Sequence, residues 1–73
     1  MSRGNHPQNI ADGFKESSPG IWTHPSFPEW KIDLYKSGDD DKFQVWRNGD
    51  VVDNSFYLDS AKLRAGKTIA STL

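Results

Sequence analysis

Three groups of residues in this chain have the types that site chemistry needs. The first is the carboxylate run Asp39-Asp40-Asp41, which invites a calcium reading. An EF-hand loop wants ligands at alternating positions, a glycine at the sixth and a glutamate at the twelfth. Counted from Asp39, those places hold Gln44 and Asp50, so the pattern fails and the run reads as a solvated hairpin loop. The second group is the pair His6 and His24, each followed directly by a proline. Neither has a second ligand at metal spacing. Both are expected at the surface, and no metal site is expected. The third group mixes rings, ammonium groups and amides: Lys31, Tyr35, Lys42, Gln44, Trp46 and Arg47, with Val51 close behind. Such a mixture suits recognition better than bond-making.

Catalysis would need more. Hydrolysis or group transfer requires a nucleophile, a base and an oxyanion site in a pocket that excludes water. The glycines are scattered at positions 4, 13, 20, 38, 49 and 66 and form no phosphate loop or dinucleotide fingerprint. A domain of this size rarely encloses the ~300 Å³ or more that a substrate pocket takes. A non-enzymatic protein with no cofactor is therefore expected.

The elements that would position the third group can be read from periodicity. Trp30, Ile32 and Leu34 alternate with Lys31, Asp33 and Tyr35 across a strand from Trp30 to Lys36. A polar connection over Ser37–Asp41 leads to a second strand, Phe43 to Arg47. Asn48-Gly49 then marks a tight hairpin, because a type I′ turn needs positive φ at both central residues. A third strand follows from Asp50 to about Asn54. With a two-residue loop, Arg47 faces Asp50, Trp46 faces Val51 and Val45 faces Val52, and opposed residues share a side of the sheet. Phe43, Val45 and Val52 are then expected on one face, and Gln44, Trp46, Val51 and Asp53 on the other.

A C-terminal helix is predicted from Leu58, Ala61, Ala65, Ile69 and Leu73, spaced by three and four, with Asp59 or Ser60 as N-cap. Its small residues Ala61, Ala65, Gly66 and Ala70 allow close packing on the sheet. The fold expected is α+β: a three-stranded antiparallel meander with one C-terminal helix on one face. The predicted core is Trp30, Ile32, Leu34, Phe43, Val45, Val52, Phe56, Leu58, Ala61, Ala65 and Ile69.

Before the first strand the pattern weakens. Residues 1–20 are rich in Gly, Pro, Ser, Asn and Gln, with Ile10 and Phe14 as exceptions, and read as a flexible tail. Residues 21–29 carry Pro25 and Pro28 and are expected to form an extended strap belonging to a domain over 21–73. The aromatics Trp22 and Phe27 could either cover the Trp46 face or leave it open.

Composition limits the function classes. The chain has 73 residues, 34% of them apolar, so a single small core is expected, worth about 3–5 kcal/mol in net stability. Nine basic against ten acidic residues lack the surplus typical of duplex-DNA binders. The absence of cysteine excludes disulfides and thiolate chemistry and suits a cytoplasmic setting. No apolar run approaches the ~18–20 residues of a membrane helix, and the first residues show no signal-peptide pattern.

The order of three strands and a helix over roughly residues 30–72 resembles that of integrase arm-binding domains and of the plant ethylene-response type of DNA-binding domain. The resemblance implies DNA reading from the sheet. It rests on element order and assigns no residue. The expectation drawn from the residues themselves is a protein-binding module of accessory, regulatory or inhibitory kind, compact enough for a phage or mobile-element product. Its contact is expected to centre on Tyr35, Trp46 and Val51, with Lys31 and Gln44 at the rim. Nucleic-acid binding by the same face is the alternative, and a self-assembling structural component is the third reading. A monomer or weak homodimer is expected, with no membrane partner.

Overall fold

The computed structural model describes residues 6–73. The element order is α1 (Pro7–Asp12), β1 (Lys15–Ser18), β2 (Ile21–Thr23), β3 (Trp30–Ser37), β4 (Asp40–Arg47), β5 (Asp50–Ser55) and α2 (Leu58–Thr72). The five strands form one antiparallel sheet in the order β1-β2-β3-β4-β5. The α+β class and the C-terminal helix are as expected from the sequence. Five strands replace the three expected, and β3 rather than β4 is the central strand.

The expected tail is corrected from residue 6 onward, and residues 1–5 lie outside the described residues. Helix α1 starts with Pro7 at a position where its missing N–H costs nothing. Nδ1 of His6 accepts from the Gln8 N–H at 3.2 Å, which caps the helix. The helix is short but buries Ile10 and Ala11, and Phe14 just after it is 1% exposed. Pro19-Gly20 then turns β1 into β2, with Gly20 at φ +78° where a side chain would be strained.

The strap expectation is also revised. Ile21–Thr23 is a strand paired with β3, so Trp22 lies beside Ile32 on the core side. Residues 24–30 close two successive turns, Phe27 N–H to His24 C=O at 3.3 Å and Trp30 N–H to Phe27 C=O at 3.0 Å. Trp22 packs edge-on to Phe43 with ring centroids 5.7 Å apart, and both Trp22 and Phe27 pack against the core. Neither covers Trp46.

The Asn48-Gly49 turn has φ of +53° and +85°, as the hairpin requires. Trp46 pairs with Val51 as predicted, but the ladder then shifts and Val45 pairs with Asp53. Val52 is therefore the extra residue of a β-bulge. The bulge exposes Val52 and carries Asp53 to the helix side, where it meets Arg64 of α2 at 3.3 Å. This corrects the expected Val45–Val52 pairing and the placement of Asp53 beside Trp46. The β3–β4 connection is also shorter than expected: Asp40 and Asp41 belong to β4, opposite Ser37 and Lys36.

The core lies between the sheet and the two helices. Ile10, Phe14, Trp30, Ile32, Val45, Ala61, Ala65 and Ile69 form one buried cluster. Leu34, Phe43 and Leu58 are half-buried, while Val52 and Phe56, expected inside, are exposed. Helix α2 begins at Leu58 after Tyr57, with no side-chain cap, so neither Asp59 nor Ser60 is the N-cap. Asp59 instead sits in the first turn, where its charge complements the helix dipole. Gly66 is buried, and a β-carbon there would collide with the backbone carbonyl of Pro7. The close approach that the small residues allow is thus to α1, besides the sheet.

Candidate functional site

One face of the sheet carries the core and the other has no helix against it among the described residues. Alternation places Lys31, Asp33 and Tyr35 of β3 on this open face. Their cross-strand partners on β4 are Trp46, Gln44 and Lys42. On β5, Val51 lies opposite Trp46 and Asn54 opposite Gln44. All five residues expected to form the contact, Tyr35, Trp46, Val51, Lys31 and Gln44, therefore share one surface.

That surface is organised around Trp46, toward the Asn48-Gly49 end of the sheet. The indole Nε1–H of Trp46 donates to Asp33 Oδ1 at 2.7 Å. This is a short bond to an ionised acceptor, and it fixes the ring plane as well as paying for partial burial of the N–H. The Lys31 ammonium lies 5.0 Å from the Trp46 ring centroid, within cation–π range. Trp46 is half-buried by these neighbours, whereas Tyr35 is 47% and Val51 44% exposed.

Phe56 joins the same face, which periodicity did not reveal. It follows β5 directly, and the Lys42 ammonium sits 5.7 Å from its ring centroid. The ring is 59% exposed. The bulge at Val52 pairs Ser55 with Phe43 and so puts Phe56 on the side of Lys42; the unbulged register expected from the sequence puts it on the core face. Tyr35, Lys42 and Phe56 form one row across the sheet, and Lys31, Trp46 and Val51 form another.

Comparison with family models, with curated proteins and with solved structures finds no match to this chain. The site is therefore judged on its own geometry.

His24 also departs from expectation. It is 7% exposed instead of lying on the surface. Nδ1 accepts the Ser26 N–H at 3.1 Å, so the neutral ring carries its proton on Nε2, 3.0 Å from the Ile10 carbonyl oxygen. Phe14 and Phe27 meet the imidazole edge to face, at 5.1 and 4.9 Å between centroids. Gly13 leaves room for it, since a β-carbon there would overlap the ring. Burial lowers the His24 pKa, and the bond to the Ile10 carbonyl opposes that shift in part. With both nitrogens engaged, this histidine ties α1 to the turn after β2 and has no free atom for a substrate.

No cluster of three metal-holding side chains occurs among the described residues. Nor is any of the described helices long and apolar enough to cross a membrane.

Proposed function

We propose that this chain is a small non-enzymatic binding protein of accessory, regulatory or inhibitory kind, acting by protein–protein contact through the open face of its sheet. Trp46, Tyr35 and Val51 anchor the contact, Lys31 and Gln44 rim it, and Phe56 extends it. The observation that carries this reading is the fixed Trp46 indole, held by Asp33 and Lys31 on a face that no helix covers among the described residues. Preorganised aromatic residues ringed by polar groups are the usual composition of binding hot spots. Pinning the ring before binding also lowers the ordering cost of association.

The test is partner capture from a cell lysate, with and without nuclease, followed by reconstitution from purified components. The Trp46→Ala and Tyr35→Ala variants, shown to be folded by circular dichroism, are run alongside. A reconstituted protein complex that survives nuclease and loses at least ~2 kcal/mol with Trp46→Ala supports the reading. Retained affinity in the folded variant removes this site.

Nucleic-acid binding draws on one specific observation, the alternation of Lys31 and Lys42 with three rings on this face, which suits base stacking. Recovery abolished by nuclease, with a steep loss of affinity in added salt, would favour it.

A further inference from the structure

We infer that the open face takes an acidic peptide segment bearing apolar side chains, an inference that rests on the protein-contact reading above. The charges of the chain are unevenly distributed. Overall it holds nine basic and ten acidic residues. Register places Lys15, Lys31 and Lys42 on the open face against Asp33 and, beside the β3–β4 turn, Asp40. Asp33 accepts the Trp46 indole N–H, and three lysines share the face with these two aspartates.

The two central lysines have no carboxylate partner among the described residues, where Arg64–Asp53 on the other face is the ion pair formed. Each instead lies over a ring, Lys31 on Trp46 and Lys42 on Phe56. An ammonium held over an aromatic still has donors for a carboxylate, and the ring beside it offers apolar area. A partner that alternates carboxylates with apolar side chains satisfies both at once. A nucleic-acid strand fits less well. A strand carries a phosphate at every nucleotide, so one would face the Asp33 carboxylate between the lysines, whereas a peptide can place an uncharged side chain there.

The test titrates isotope-labelled protein with three probes. These are a short synthetic peptide alternating glutamate with leucine and phenylalanine, its counterpart with lysine in place of glutamate, and oligothymidylate. The acidic peptide is expected to move the resonances of Lys31, Tyr35, Lys42, Trp46 and Phe56. It should bind at least about tenfold tighter than the lysine peptide, and lose most of that margin in the double variant Lys31→Gln, Lys42→Gln. Equal affinity for the two peptides, no movement of these resonances, or tighter binding of oligothymidylate overturns the inference. The two readings separate in the reconstituted complex. A protein partner that needs Trp46 but ignores Lys31→Gln, Lys42→Gln leaves the protein-contact reading standing and removes the acidic one.

Discussion

Trp46 and Asp33 sit on adjacent strands and are joined by an indole-to-carboxylate hydrogen bond of 2.7 Å. They are not directly opposed, since Asp33 pairs with Gln44 and Trp46 with Lys31. The bond therefore runs diagonally and ties two rows of the open face together. Asp33→Ala should lower stability by about 1 kcal/mol through the half-buried indole N–H it leaves unpaired. Asp33→Asn keeps an acceptor and should lose less. Urea denaturation gives the order of the three proteins, and the Trp46 indole N–H resonance should shift most in Asp33→Ala. An unchanged indole resonance in that variant would show that the bond is not formed in solution.

Gly66 offers a prediction whose sign opposes helix propensity. In an exposed helix interior, Gly→Ala gains about 1 kcal/mol. Here the added carbon meets the Pro7 carbonyl, so α1 must move off α2 or the helix must bend. Gly66→Ala should therefore destabilise by about 1–3 kcal/mol, the range for overpacking a filled site. The urea midpoint should fall, and amide exchange in Pro7–Asp12 should quicken more than in β3–β4.

The sheet centre was legible because period-two alternation and Asn48-Gly49 act locally. Trp30, Ile32 and Val45 are buried as the pattern demands, and Trp46 faces Val51. The bulge at Val52 was not legible. Apolar Val51-Val52 fits either register, and the bulged one brings Asp53 to Arg64 of α2, a contact remote in sequence. The first twenty residues misled through composition. Only Ile10 and Phe14 stand out there, yet both complete the core between sheet and helices. Local signals existed in Pro7 at a helix start and in Pro19-Gly20 at a turn, but segments so short gain stability only by docking. His24 escaped notice for the same reason: its partners, Ile10 and Phe14, come from the segment read as tail.

His24 makes stability depend on pH in a defined window. Its folded pKa lies below the ordinary 6.5, because burial disfavours the charged ring. Between those two values the unfolded chain binds a proton that the folded chain refuses, so stability rises with pH there. The full contribution is present above about pH 6.5 and is lost as pH falls from there through the folded pKa. Protonation also turns Nδ1 into a donor facing the Ser26 N–H. Urea midpoints measured from about pH 5 to 7.5 should fall toward the acid end, and this slope should flatten in His24→Gln. An equal slope in that variant would assign the dependence to other groups.

Phe14 and Phe56 put the corrected core to its sharpest test, because composition and structure rank them in opposite order. Phe14 follows α1 and is 1% exposed against His24, whereas Phe56 is 59% exposed on the open face. Truncating a buried phenylalanine costs about 3–5 kcal/mol in transfer and cavity terms. That equals the whole net stability expected of so small a domain, about 3–5 kcal/mol. Phe14→Ala should consequently leave the protein largely unfolded at room temperature, with collapsed amide dispersion in its NMR spectrum. Phe56→Ala removes exposed area and one contact with Lys42, and should stay within about 1 kcal/mol of the parent. If the two variants were equally stable, the segment from Pro7 to Phe14 would not be part of the folded core, and the attachment of α1 to α2 through Gly66 would fall with it.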